Sequence, residues 1–129
     1  MIGEVLLVDD SAADNYLHKL LLEESGLVER VSVALDGEQA LARLQAAERP
    51  PDLVFLDINM PRMDGWAFLD ALQAMDLEAR PDMTIVMLST SQNHVDRSRA
   101  EANPLVHSYV FKPLTSDELV ALVEDLAKE

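Results

Sequence analysis

Three acidic residues and one lysine each follow directly on an apolar run of strand-like composition: Asp9, Asp10, Asp57 and Lys112. A charged group at such a position is costly unless it meets an opposite charge, a hydrogen-bond donor or water. These positions therefore predict one shared polar site, in which the lysine lies among the carboxylates.

Such a site is suited to phosphoryl transfer onto a carboxylate. Clustered carboxylates repel each other, and Mg²⁺ relieves that repulsion because it prefers carboxylate, water and phosphate oxygens as ligands. Lys112 would supply a second positive charge for the transferring group. Ser89, at the end of another apolar run, offers a hydroxyl that can donate to a phosphoryl oxygen.

Strand-like runs alternate with helical patterns along the chain, which is typical of βαβ units. The five predicted strands are Val5–Val8, Val31–Leu35, Leu53–Leu56, Met83–Leu88 and His107–Phe111. The second strand alternates apolar and polar residues, which places it at a sheet edge, and the apolar third strand is predicted to be central. The expected fold is a (βα)5 α/β domain with a doubly wound parallel sheet, whose sites form at the carboxyl ends of the strands.

Apolar spacing and turn residues predict the helices. The first helix is expected over Tyr16–Glu24, with Leu17, Leu20 and Leu21 on its apolar face and a stop at Gly26.

Short polar motifs predict where three other helices begin. The motifs are Asp36 with Gln39, Ser89–Ser91, and Thr115 with Glu118. The fourth helix has few apolar residues, chiefly Val95, Ala100 and Ala102, so we expect it to have low local stability and to shift when the site is modified.

Composition limits the classes of function. The chain has 129 residues, which fits one domain, and a formal net charge of -14, which disfavours direct nucleic-acid binding. It has no cysteine, and neither a signal peptide nor a run near the ~20 apolar residues of a membrane span is evident. We therefore expect a cytoplasmic protein without membrane insertion.

Four segments, in order and each at a strand end, carry a close resemblance to the response-regulator receiver family. They are Leu6–Asp10, Leu56–Gly65, Met87–Thr90 and Tyr109–Pro113. In size the chain is similar to the stand-alone, CheY-like members of the two-component phosphorelay systems. The resemblance implies a flavodoxin-like strand order 2-1-3-4-5 and a single receiver domain over residues 1–129 without an output domain.

The resemblance also implies a role for each residue of the site. Asp57 would be the phosphoacceptor, supplied by a sensor histidine kinase or a histidine phosphotransfer protein. Asp10, Asp57 and the backbone carbonyl of Asn59 would bind Mg²⁺, and Asp9 would act through a bound water.

Three further residues would respond to the phosphoryl group. By resemblance, Ser89 would bond it and draw its loop inward, and Lys112 would pair first with Asp57 and then with the phosphate. Tyr109 would be the switch aromatic whose ring turns inward when Ser89 moves.

Two surfaces would bind partners. By resemblance, the fourth helix, fifth strand and fifth helix would bind a downstream target protein, and the first helix around Asn15 and His18 would help to dock the kinase. The protein would be a monomer or a phosphorylation-dependent dimer.

The three histidines lack metal-ligand spacing and are expected at the surface or the sheet edge without a chemical role. They are His18, His94 and His107.

Other interpretations remain open. A Mg²⁺-dependent phosphatase of the haloacid-dehalogenase type also uses a strand-end aspartate, but it needs an acid/base aspartate where this chain has Asn59. A phosphorylation-independent binding module is a further alternative. At the level of single residues, Ser89 could simply cap a helix, and Tyr109 could be a plain edge-strand aromatic.

Overall fold

A computed structural model describes residues 2–46, 49–75 and 83–127. The strands are β1 Ile2–Val8, β2 Val28–Ala34, β3 Leu53–Leu56, β4 Thr84–Ser89 and β5 Val106–Phe111. The helices are α1 Ala12–Ser25, α2 Gly37–Ala46, α3 Gly65–Ala74, α4 His94–Ala102 and α5 Ser116–Ala127. No described helix is long and apolar enough to cross a bilayer.

The five strands form one parallel sheet in the order β2-β1-β3-β4-β5, which confirms the predicted fold and strand order. As predicted, β2 is an edge strand and β3 is central. Val8 is aligned with Ala34 and with Leu56, and Leu56 is aligned with Met87. The carboxyl ends of neighbouring strands therefore meet at one edge of the sheet.

The sheet has a hydrophobic core on each face. On β1, Leu6 and Val8 belong to one core, and Val5 and Leu7 to the other, because successive side chains of a strand point to opposite faces. The first core includes buried residues of α2, α3 and α4, and the second includes buried residues of α1 and α5. This three-layer arrangement keeps both faces of a parallel sheet dry.

The predicted capping motifs open two of the three helices to which they were assigned. The Gln39 amide donates to Asp36 Oδ1 at 2.8 Å before α2, and Thr115 and Glu118 bond reciprocally at the start of α5. The prediction for α4 was wrong, because Asn93 is its N-cap and accepts from the Val95 amide at 2.8 Å. Ser89–Ser91 lie before the helix.

The predicted start of α1 was also wrong, and of its predicted apolar face only Leu21 packs against the second core. The helix begins at Ala12, and its N-cap Ser11 accepts from the Asp14 amide at 3.2 Å. Leu17 is 59% exposed, whereas the buried residues of the helix are Asn15, His18 and Leu22. The helix does end at Gly26 as predicted, with a φ of 73°.

The observed orientation of α1 gives a direct test of the fold. Leu22→Ala is expected to lower the free energy of unfolding by about 2–5 kcal/mol, because Leu22 is fully buried and its loss leaves a cavity. Leu17→Ala on the same helix is the matched control, and we expect a change within about 0.5 kcal/mol. Urea unfolding followed by circular dichroism measures both, and equal costs would contradict this orientation of α1.

Candidate functional site

The backbone ladder of the sheet continues past the strand ends and fixes the three residues that follow them. The Asp9 amide donates to the Ala34 carbonyl at 3.1 Å, and the Asp57 amide donates to the Val8 carbonyl at 2.9 Å. The Lys112 amide donates to the carbonyl of Ser89 at 2.9 Å. These residues are therefore held as firmly as the strands that they extend.

The Lys112 ammonium lies among three carboxylates. Its Nζ donates to Asp9 Oδ2 at 2.6 Å and to Asp14 Oδ2 at 2.9 Å, and it lies 3.5 Å from Asp57 Oδ2. The Lys112 side chain is only 8% exposed. The structure thus brings Lys112 to the carboxylates as predicted, but its shortest contacts are with Asp9 and Asp14.

Asp9, Asp10 and Asp57 form a compact acidic cluster. Each offers a carboxylate oxygen, and these oxygens all lie within 4.8 Å of one another. Asp9 and Asp57 are buried, whereas Asp10 is exposed. The predicted acidic residues therefore meet at one point with one side open to solvent.

Backbone amides fix the two buried carboxylates. Asp9 Oδ1 accepts from the Ser11 amide at 2.9 Å, and Asp57 Oδ1 accepts from the Ile58 amide at 2.8 Å. Since Asp9 Oδ2 accepts from Lys112, both oxygens of Asp9 already accept hydrogen bonds. Asp10 has no hydrogen-bond or ion-pair partner within the described part of the chain.

Burial and neighbouring charges change the acidity of the site. Burial raises the pKa of Asp57 to about 6 and the charge of Asp9 adds to the rise, although Lys112 opposes it. Burial alone would lower the pKa of Lys112, but its hydrogen bonds to Asp9 and Asp14 outweigh this and raise it. At neutral pH Lys112 is therefore charged, and Asp57 is an ionised carboxylate of unusually high basicity.

Ser89 and Tyr109 both form hydrogen bonds with Ser91, in the loop that follows β4. Ser89 is fully buried at the end of β4, and its Oγ accepts from the Ser91 amide at 3.1 Å. The Tyr109 hydroxyl donates to the Ser91 carbonyl at 2.7 Å, and the Tyr109 ring packs edge-on against Phe111. Ser91 thus connects the end of β4 with the tyrosine of β5.

The loop after Asp57 places two more residues beside the site. Asn59 is exposed, two positions after the aspartate. The Gly65 amide donates to the Ile58 carbonyl at 2.8 Å, and a Cβ at Gly65 would lie 2.5 Å from the Asp57 carbonyl oxygen. Only glycine lets α3 start this close to the backbone of Asp57.

Asn15 and His18 are buried, so the expectation that His18 lies at the surface was wrong, and the predicted docking surface on the first helix does not include these two side chains. Asn15 Nδ2 donates to the Asp9 carbonyl at 2.8 Å, and His18 Nε2 accepts from the Leu114 amide at 3.3 Å. Burial lowers the pKa of His18, and the nearby Lys112 charge lowers it further. A neutral imidazole is required for this acceptor role.

Asp14 is the site residue that the sequence interpretation missed. It lies in the first turn of α1, three residues after the N-cap Ser11. A serine followed three residues later by an acidic residue is a helix-start motif. That motif, directly after Asp9 and Asp10, was the available signal that α1 begins beside the acidic cluster.

Comparison with known proteins agrees with this geometry. Residues 5–124 match the response regulator receiver domain. The chain belongs to the response regulator receiver family. A two-component response regulator from Cytophaga hutchinsonii has 32% identity and a TM-score of 0.91, with 99% of this chain and 98% of that chain covered. The chemotaxis protein CheY4 of Vibrio cholerae has 27% identity and a TM-score of 0.78, with 98% and 99% covered.

Receiver domains also occur inside longer proteins. The protein-glutamate methylesterase/protein-glutamine glutaminase of Maricaulis maris is 44% identical over 89 residues, which are 69% of this chain. The chain spans only 21% of the length of that enzyme. The similarity therefore concerns the receiver part. Receiver domains use Mg²⁺ at an acidic pocket, and the acidic cluster described above has the corresponding composition.

The raised pKa of Asp57 predicts that this carboxylate destabilises the metal-free receiver. Below a pH near 4 the group is protonated in both folded and unfolded chains, and above about 6 it is ionised in both, so ionisation disfavours folding increasingly between these values. Asp57→Asn is expected to raise the free energy of unfolding near pH 7 by roughly 2–3 kcal/mol.

Denaturant unfolding in EDTA from about pH 4 to 7.5 measures this difference. The gap between Asp57→Asn and wild type should widen as pH rises and level off above about 6. Asp70→Asn, which changes an exposed aspartate of α3, provides a control for the change in net charge. A gap that is constant across this range would contradict the burial effect.

Proposed function

We propose that this receiver domain is a two-component phosphorelay switch that accepts a phosphoryl group on Asp57. The observation that carries the proposal is the buried Asp57 carboxylate beside the Lys112 ammonium, at the meeting point of three strand ends. Its donor would be a histidine of a sensor kinase or of a phosphotransfer protein. The raised pKa of Asp57 favours nucleophilic attack while leaving the carboxylate ionised at neutral pH.

In the transfer step an Asp57 carboxylate oxygen attacks phosphorus, the Oδ–P bond forms and the N–P bond of the phosphohistidine breaks. The electron pair of that bond stays on the imidazole, which takes a proton from solvent. Lys112 donates to a phosphoryl oxygen, and the hydroxyl of Ser89 donates to another. Both hydrogen bonds stabilise the negative charge of the phosphoryl oxygens, which the transfer places next to the Asp57 carboxylate.

The acidic cluster is suited to Mg²⁺. Asp9, Asp10 and Asp57 each offer a carboxylate oxygen within 4.8 Å of the others, and Mg²⁺ usually takes one or two carboxylates directly and keeps several waters. We assign Asp10, Asp57 and the Asn59 backbone carbonyl as direct ligands. Asp9 acts through water because both of its oxygens are already engaged. When bound, Mg²⁺ supplies charge neutralisation for the phosphoryl oxygens.

Two surfaces serve the partners. Because Asn15 and His18 are buried, docking of the kinase or phosphotransfer protein falls to the exposed apolar residues of α1, namely Tyr16, Leu17 and Leu20. The face formed by α4, β5 and α5 binds a downstream target when Tyr109 and Ser89 respond to phosphorylation.

The domain acts in the cytoplasm by binding proteins, as a monomer or a phosphorylation-dependent dimer. It catalyses only its own phosphorylation and dephosphorylation.

Phosphorylation by a small donor tests the proposal. Purified protein is incubated with acetyl phosphate, with Mg²⁺ or with EDTA, and its intact mass is measured. We expect one phosphoryl adduct that requires Mg²⁺ and is absent from Asp57→Ala.

Asp70→Ala is the control, because Asp70 is an exposed aspartate of α3. An adduct on Asp57→Ala would place the acceptor elsewhere. A wild-type protein that binds Mg²⁺ but takes no phosphoryl group from acetyl phosphate or from a phosphorylated histidine domain would overturn the switch.

The anchoring of α4 predicts how the signal is transmitted. Ala100 is the only buried residue of this described helix, so α4 should open at a lower free energy than the sheet core. Hydrogen exchange with Mg²⁺ and beryllofluoride, a phosphoryl mimic, should change the protection of α4 amides and leave those of β3 unchanged. Protection of α4 equal to that of β3, unaffected by the mimic, would contradict this transmission.

A further inference from the structure

We infer that Asp14 is a positioning residue that controls how readily Lys112 reaches the phosphoryl group. The inference rests on the proposed function of Asp57. It starts from the contact of Asp14 Oδ2 with Lys112 Nζ at 2.9 Å, which is 0.6 Å shorter than the 3.5 Å between Lys112 and Asp57. In the unphosphorylated protein the lysine is therefore held by Asp9 and Asp14 and only approaches the acceptor.

The position of Asp14 is fixed by the start of α1. Ser11 donates its amide to Asp9 Oδ1 at 2.9 Å and accepts the Asp14 amide at its hydroxyl at 3.2 Å. Asp9 and Asp14 are thereby tied to the same turn, and their carboxylates converge on one ammonium. The cap thus orients a pair of carboxylates toward Lys112 from the side of α1.

The two carboxylates differ in how easily they release the lysine. The Asp14 side chain is 37% exposed, whereas that of Asp9 is 7% exposed. A carboxylate that loses its partner regains hydration at an exposed position but not at a buried one. When a phosphoryl group draws Lys112 toward Asp57, Asp14 is therefore the partner that gives up its bond.

Asp14 consequently opposes modification of Asp57. It stabilises the resting position of Lys112, and its negative charge adds to the repulsion that an incoming anion meets. Asp14→Asn removes both effects and keeps the size of the side chain. We expect the affinity for beryllofluoride in the presence of Mg²⁺, and the rate of phosphorylation by acetyl phosphate, each to rise about threefold or more.

Three comparisons separate positioning from a structural effect. Asp14→Glu keeps the charge and should return both quantities to within about twofold of wild type. Glu23→Gln on the exposed side of α1 removes the same charge and should leave them unchanged. In a Lys112→Met background, Asp14→Asn should keep only the smaller gain that comes from reduced repulsion of the anion, because the lysine that Asp14 positions is absent.

Calorimetric titration with beryllofluoride and intact-mass kinetics give the two quantities. An unchanged or weaker affinity for Asp14→Asn overturns the inference, as does an equal gain in the Lys112→Met background. If wild type takes no phosphoryl group, the proposed function fails, and the contact is judged by NMR of the Lys112 ammonium. Slow proton exchange there in wild type, faster in Asp14→Asn, supports positioning; identical exchange in the two proteins overturns it.

Discussion

The ion cluster around Lys112 is the interaction on which the arrangement of this receiver domain depends. One buried ammonium lies within 3.5 Å of carboxylates from three places in the chain: Asp9 after β1, Asp14 in α1 and Asp57 after β3. Removing the Lys112 ammonium would leave these carboxylates without a compensating charge, which costs more than the pairs contribute. The cluster therefore binds the ends of β1, β3 and β5 and the start of α1 into one unit.

The same cluster lowers the stability of the fold in favour of the proposed function. Three acidic side chains converge on an edge where the sheet ends, and burial keeps the pKa of Asp57 about two units above that of an ordinary aspartate. A protein selected only for stability would place a neutral residue there. Under the proposed function, the free energy that the ionised carboxylate costs is the counterpart of its affinity for a cation and for a phosphoryl group.

Much of the site could be predicted because parallel strands end together. Asp9, Asp57 and Lys112 follow apolar runs, and a parallel sheet brings the residues after such runs to one edge without further information. The central position of β3 was equally predictable, because its apolar composition matches a strand buried on both faces.

The buried face of helix α1 could not be predicted from apolar spacing, because that face is partly polar. Asn15 and His18 point inward since the Asp9 carbonyl and the Leu114 amide offer them hydrogen bonds there. The Leu114 amide lies 96 residues from His18 in the sequence, so no local pattern indicates that contact. Leu17 and Leu20 lie outward, whereas Leu21 packs against the second core, and Asp14 was missed because the helix was expected to start after it.

The connection from the site to α4 consists of polar contacts rather than apolar packing. Ser91 accepts from Tyr109 at its carbonyl, donates its amide to Ser89 and donates its hydroxyl to Asp96 at 2.8 Å. Hydrogen bonds of this kind can be exchanged for others or for water as groups move, whereas displaced apolar side chains leave cavities.

The outer side of α4 has the same character. The Arg99 guanidinium lies 4.5 Å from the centre of the Trp66 ring, and that of Arg97 lies 5.6 Å from the centre of the Phe111 ring. Cation–π contacts near the surface contribute only about 0.5–1 kcal/mol each and tolerate sliding of the cation over the ring. A helix held in this way, with Ala100 as its buried anchor, can change position at low cost while β3 and β4 stay fixed. In the proposed switch, the weak apolar content of α4 and the polar contacts through Ser91 are complementary, because a signal that begins as a hydrogen bond to Ser89 is only useful next to an element that such a bond can move.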